Sequence, residues 1–360
     1  MTHQTRNIGI VVGLLLFILL MVGWWFWDKM SQPLYTPGDL KGMTIAVPPQ
    51  KGDSAFWDMS DDVRLFHFSE GQGAKILTLH GGPGIPWEKP VPGFSLLADQ
   101  YQIHYYDQRG CGRSSRPFDR FTSKDYFQNM TTLETKLGIQ AQLEDIERIR
   151  QIQGGDKWIL AGHSFGGLLA ALYAAEYPEN VKALILIAPA DLLKMPGEHG
   201  DLFWNVRRDL PKAMQPEFDA WQKQYFDFGG IFNRSESELQ ALNQQFAKYY
   251  GEAVKAKGLT LPDLPSSPNL TGGWATHAQY FSLGKKHDYR TAMDAVKIPV
   301  MVIHGANDLQ SEAASKDFAA NFSNAQFLII SGSGHFPFVE KPEAFATAVR
   351  QFLFEKTDHN

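Results

Sequence analysis

The sequence holds one cysteine, Cys111. That excludes an internal disulfide, and no Cys/His cluster with metal-ligand spacing accompanies it. No metal and no cofactor are expected. There is no excess of basic charge either. The net charge is −5 at pH 7, which argues against a nucleic-acid partner. Internal repeats and low-complexity tracts are missing, which excludes solenoid and fibrous architectures. Charge is also absent from one long stretch near the start. Residues 8–27 read IGIVVGLLLFILLMVGWWFW without an ionisable side chain. As a helix this run reaches about 30 Å, the thickness of a bilayer's hydrocarbon core. It ends in bulky aromatics and then Asp28 and Lys29, not in the small residues of a cleavage site. The expectation is an uncleaved single-pass anchor over residues 1–30. The folded part would then lie on the periplasmic or extracellular side.

Beyond a Pro- and Gly-bearing tether over residues 31–45, strand-like and helix-like patterns alternate. The runs DVRLFHFSEG, AKILTLHGG, YQIHYYDQRG, KWILAGHS, VKALILIAPA, PVMVIHGAND and AQFLIISGSGH read as strands. Several are almost continuously apolar, as strands buried on both faces are. Helical patterns separate them, so the fold class is α/β with a mostly parallel sheet. No clear strand interrupts residues 191–290, which read as a helical cap. The core is therefore expected in two parts, 46–190 and 291–360.

The sharpest motif is Gly162-His163-Ser164-Phe165-Gly166, a G-x-S-x-G between a strand and a helix. Such a turn is so tight that the serine sits in a strained conformation above the sheet, and only small residues fit two positions away. Ser164 is the expected nucleophile. A serine hydroxyl needs a base, and the base needs an orienting acid. Behind this kind of elbow, acid and base follow in chain order. Asp308 lies just past one strand and His335 in a Gly-rich loop past another. Asp288 and Asp294, and His277, His287 and His304, are alternatives that do not follow a strand in the same way. Attack on a carbonyl makes an oxyanion, which needs two backbone N–H donors. Phe165 supplies one; Gly82, in His80-Gly81-Gly82-Pro83-Gly84, is expected to supply the other. In YDQRGCGRSSRP, Asp107 and Arg109 read as an ion pair bracing that loop, with Arg113 in the same role or facing substrate. Cys111, close by, reads as a target for thiol reagents.

Together HGGPG, DQRGCGRS, GHSFGG, HGAND and GSGH resemble the proline iminopeptidase family of α/β-hydrolases. The resemblance implies an α/β-hydrolase fold and removal of an N-terminal residue from small peptides through an acyl-enzyme. It also implies a cap whose glutamates bind the substrate's free amine. Glu198, Glu217, Glu236, Glu238 and Glu252 are available there, without the tryptophan–glutamate stretch of the family. The expected function is a membrane-anchored serine hydrolase, an aminopeptidase on peptides. The alternative is a carboxylesterase or lipase-type enzyme on a lipid-like or aromatic ester. A cap glutamate facing Ser164 would favour the first, an apolar cleft without a carboxylate the second. A non-catalytic receptor is the reading from a different class, and the filled set of motif positions argues against it.

Overall fold

The computed structural model describes residues 16–357, apart from 26, 27 and 30. Eight strands form the central sheet, in the order β1-β2-β4-β3-β5-β6-β9-β10. They are β1 Phe56–Asp58, β2 Arg64–Glu70, β3 Ala74–Leu79, β4 Tyr101–Tyr106, β5 Trp158–His163, β6 Val181–Ile187, β9 Val300–Gly305 and β10 Ala325–Ile330. β1 and β2 run antiparallel, and every pairing from β4 to β10 is parallel. The seven strand-like runs of the sequence are all present, and β1 is added at the edge.

Side-chain alternation along the central strands splits the core into two layers. On β5 and β6, Leu160, Leu184 and Leu186 enter the cluster that contains Leu168, Leu172 and Tyr173 of the Phe165–Glu176 helix. Ile159, Ala161, Ala183 and Ile185 enter the opposite cluster with Phe345, Val349 and Phe352 of the C-terminal helix Pro342–Thr357. Ile139, Leu143, Ile146 and Ile149 recur at three- and four-residue spacing on the helix Ile139–Ile152 and face the first layer.

Residues 31–45 do not behave as a loose tether. Tyr35 and Leu40 are fully buried in the first layer. Glu176, in the last turn of the Phe165–Glu176 helix, accepts from Tyr35 Oη at 2.6 Å, from the Gly38 amide at 2.7 Å and from the Leu40 amide at 3.2 Å. The Leu34 amide donates to Ser282 O at 2.8 Å, and Tyr289 Oη to Tyr35 O at 2.6 Å. The segment is a strap fastened to the core, because a buried carboxylate collects its donors.

The anchor expected over residues 1–30 is only partly described. Residues 16–25 are helical and exposed along their whole length. Among the described residues no helix is long and apolar enough to cross a membrane; one over residues 16–25 reaches about 15 Å. Residues 8–15, 26 and 27 of the apolar run lie outside the described residues.

The stretch between β6 and β9 is mainly helical, with Leu202–Asp209, Gln215–Tyr225, Glu236–Ala256 and Trp274–Leu283 as its longer helices. Their aromatic and aliphatic residues, among them Phe218, Trp221, Tyr249 and Trp274, form a third cluster. The sequence shows no strand here, yet β7 Lys194–Met195 pairs antiparallel with β8 His287–Asp288. This short ribbon ties the two ends of the helical stretch together.

Candidate active site

The carboxyl ends of β3, β5, β9 and β10 deliver the motif residues to one place. Ser164 leaves β5 with φ 54° and ψ −118°. A non-glycine residue held there costs about 1–3 kcal/mol, and its surroundings must over-determine it. They do: the Ser164 amide donates to Ile187 O at 2.8 Å, and Ser164 O accepts from Ala190 at 3.0 Å. A Cβ at Gly162 would collide with the Gly166 carbonyl, and one at Gly166 with the Leu79 carbonyl. Both motif glycines are therefore required by close approach of backbone.

His335 Nδ1 lies 2.8 Å from Asp308 Oδ2. The Asp308 side chain is fully buried, and its other oxygen accepts from the Gln310 amide at 2.8 Å. With Nδ1–H committed to the carboxylate, Nε2 of His335 is left as an acceptor. Ser164, His335, Gly81 and Gly82 line one chamber of about 200 Å³. Gly82 has φ +115°, and a Cβ on Gly81 would stand 2.8 Å from Ser164 Cβ, so the HGGPG backbone lies directly against the serine. The Phe165 amide opens the following helix, where it has no intrahelical acceptor.

The rest of the chamber is apolar or neutral. Trp87, Leu202, Phe246, Tyr250, Leu264 and Phe336 are part of its wall, and among the described residues no Asp, Glu, Lys or Arg side chain lines it. The cap glutamates are occupied elsewhere. Glu236 accepts from the Gly273 and Trp274 amides and pairs with Arg116 at 2.5 Å. Glu217 pairs with Lys248, Glu238 closes a capping box with Ser235, and Glu198 pairs with Lys194. Glu252 does not line the chamber.

The other candidates stand apart from this place. Asp288 pairs with Arg290, and His304 Nδ1 lies 3.0 Å from Ser315 Oγ. His277 is buried beside Tyr225, and His287 bridges the carbonyls of Leu283 and Leu192. Asp294 ends the short helix Arg290–Asp294. The expected Asp107–Arg109 pair is not formed. Asp107 accepts from the Arg113 amide at 2.7 Å, whereas Arg109 makes a two-pronged ion pair with the buried Asp145 and reaches Lys136 O. Arg113 lies over the Phe66 ring, 3.5 Å from its centroid. Cys111 is fully buried with its thiol pushed well up by that burial, so it is not the reactive thiol the sequence suggested.

Three supporting residues escape sequence reasoning. His80 takes the Gln108 amide on Nε2 at 3.1 Å, and burial holds its pKa down at about 4. His163, pushed well below the usual range by burial, donates Nε2–H to His335 O at 2.9 Å. Glu340 accepts from the amides on either side of His335, Gly334 at 2.8 Å and Phe336 at 3.0 Å. Its one sequence signal is an acid five residues after the histidine, at the end of the short helix Pro337–Glu340. Among the described residues no group of three or more His, Cys, Asp or Glu side chains is placed to hold a metal ion.

The family described as alpha/beta hydrolase fold matches residues 75–342. The chain belongs to the α/β-hydrolase family. Within that family it is proline iminopeptidase-like. A proline iminopeptidase of Lactobacillus delbrueckii subsp. bulgaricus is 30% identical over 302 residues, which cover 79% of this chain and 90% of that protein. A 1-acylglycerol-3-phosphate O-acyltransferase of Arabidopsis thaliana is 26% identical, covering 87% of this hydrolase-family chain and 76% of its own length. Among solved structures, a bacterial membrane phospholipase A shares the fold at a TM-score of 0.54 and 19% identity, over 99% of this chain and 98% of that one.

Proposed function

We propose that this α/β-hydrolase is a serine esterase acting on an ester with an uncharged, apolar acyl group. Ser164 attacks the ester carbonyl while His335 takes its proton, and Asp308 orients the imidazole and stabilises its charged form. The amides of Gly82 and Phe165 hold the oxyanion. The alcohol leaves with the proton from His335, and water then releases the acyl group from Ser164. The observation that carries the reading is the uncharged chamber around Ser164 and His335. An aminopeptidase must hold a protonated amine beside the scissile bond, and burying that charge without a carboxylate is costly.

The second reading is a proline iminopeptidase-like aminopeptidase, favoured by the relatives of that name. The experiment compares the full chain in detergent on aryl esters of rising acyl length and on proline and alanine arylamides, with Ser164→Ala as control. Ester turnover that the variant abolishes is the expected result. Arylamide turnover that needs a free amino group would overturn the esterase and restore the peptidase.

The proposal extends to attachment at a bilayer by residues 1–30, with the hydrolase on the periplasmic or extracellular side. Support comes from the uncharged run over residues 8–27 and from the exposure of Leu16, Phe17, Leu19, Leu20 and Trp24. Full-length protein should stay with membranes through an alkaline wash and leave them once residues 1–30 are removed. Recovery of the full chain in the soluble fraction would end this part of the reading.

A further inference from the structure

A second cavity of about 150 Å³ shares four wall residues with the Ser164 chamber: Tyr250, Leu261, His335 and Phe336. The two spaces therefore adjoin, and His335 borders both. Their characters differ. The chamber is walled mostly by aromatic and aliphatic side chains, whereas the side cavity adds Thr260, Asn307, the Gly334 backbone and the half-buried Glu340 carboxylate. Glu340 is also the residue that fixes both amides flanking His335.

The esterase reading, on which this inference rests, has two half-reactions with opposite needs. Acylation needs an apolar space for the acyl group. Deacylation needs a hydroxyl compound brought to the same imidazole. An apolar chamber disfavours water, while a polar space with several hydrogen-bonding groups retains it. At about 30 Å³ per molecule the side cavity has room for about five waters, or for one small alcohol. We infer that the side cavity is the acceptor site of the second half-reaction, supplying water and admitting small neutral alcohols, so that the enzyme transfers its acyl group to both. Anionic acceptors are disfavoured by the Glu340 carboxylate. In the step itself the acceptor O–H loses its proton to His335 Nε2 as its oxygen bonds the acyl carbon. The bond from that carbon to Ser164 Oγ then breaks, and the imidazolium returns the proton to Oγ. The products are the free acid from water, or a new ester from an alcohol, and the serine is regenerated.

The test uses the full chain, an aryl ester and added glycerol. Thr260, exposed at the side cavity and not part of the Ser164 chamber's wall, is changed to Trp to narrow that space and to Ala as the conservative control. For Thr260→Trp the initial burst of phenol should match wild type, while steady-state turnover and the ratio of glycerol ester to free acid each fall about tenfold. Thr260→Ala should keep the wild-type ratio. A Thr260→Trp protein with wild-type turnover and wild-type product ratio would overturn the inference while leaving the esterase intact. So would a wild type that makes no glycerol ester. Absence of ester turnover in the wild type itself would remove the esterase reading and this inference with it.

Discussion

The two loops that meet above the sheet are secured by different means. The Gly82 loop is gripped from several sides. His80 joins it to Gln108, Thr276 Oγ1 donates to Pro83 O at 2.8 Å, and the Gly272 amide donates to Gly84 O at 2.8 Å. Behind it the DQRGCGR stretch rests on the Arg109–Asp145 pair and on Glu236, which binds Arg116 and the start of the Trp274–Leu283 helix. The holds named on the His335 loop act on the histidine itself: Glu340 on its flanking amides, His163 on its carbonyl and the Asp308 carboxylate on its ring. The difference separates stability from geometry. Where holds are redundant and buried, losing one should cost folding free energy and leave the surviving site intact. Where they act on the catalytic histidine itself, losing one should move the imidazole and cost turnover.

The largest effect is expected at the acid. Asp308→Asn should lower the ester kcat by about 10⁴-fold, because the amide cannot hold the same tautomer of His335. A variant with near-wild-type kcat would place the orienting group elsewhere. Glu340→Ala should come next, with kcat down about 10²-fold from a displaced imidazole and KM nearly unchanged. Glu340→Gln, which keeps an acceptor for the two amides, should recover most of that loss. If Glu340→Ala instead lowers Tm and spares kcat, the contrast between the loops is wrong. On the other side, Arg109→Met leaves the buried Asp145 carboxylate with only a longer contact to Arg148, at 3.4 Å, and should destabilise by about 3 kcal/mol. The kcat of the folded fraction should stay within about twofold, since no contact of Arg109 reaches the chamber. Denaturant unfolding alongside active-site titration separates the two quantities.

Much of this contrast was legible in the sequence, and the rest was hidden for identifiable reasons. Strand-like runs, several of them almost continuously apolar, marked every long strand, and the G-x-S-x-G spacing marked the elbow. β1, β7 and β8 were invisible because two or three residues carry no periodicity. The strap over residues 31–45 read as a tether because its proline and glycine content is that of a linker. What orders it is Glu176, 141 residues from Tyr35 along the chain. Asp107 and Arg109 looked like partners because they are neighbours in sequence, yet the guanidinium reaches Asp145, 36 positions away. The uncharged chamber was hidden for the same reason. The cap glutamates are present in the composition, and only the fold shows that Glu236 is spent on Arg116 and two amides.

The smallest effect concerns acid and sharpens the comparison from the stability side. The Gly82 half carries two buried histidines, His80 after β3 and His104 on β4, both held at about 4 first of all by burial. The usual value is about 6.5. Because the folded-state pKa is depressed, the neutral form is the native one. Its contribution is whole above pH 6.5 and is lost as pH falls from 6.5 towards 4, at no more than about 1.4 kcal/mol per pH unit for each residue. Asp107, raised to about 6 by burial, works in the opposite direction, since a proton relieves it over the same interval. The two signs partly cancel in the wild type, which should show only a shallow fall in Tm between pH 6.5 and 4.5. His104 can be taken out of this balance cleanly. Neither ring nitrogen has a hydrogen-bond partner among the described residues, and the ring packs against Trp158 with centroids 4.9 Å apart. His104→Phe should therefore raise Tm slightly at pH 7 and by more at pH 4.5, leaving a flatter profile. An unchanged profile would mean that His104 takes up its proton alike in the folded and unfolded chain, or that the acid limb is set by the carboxylates alone.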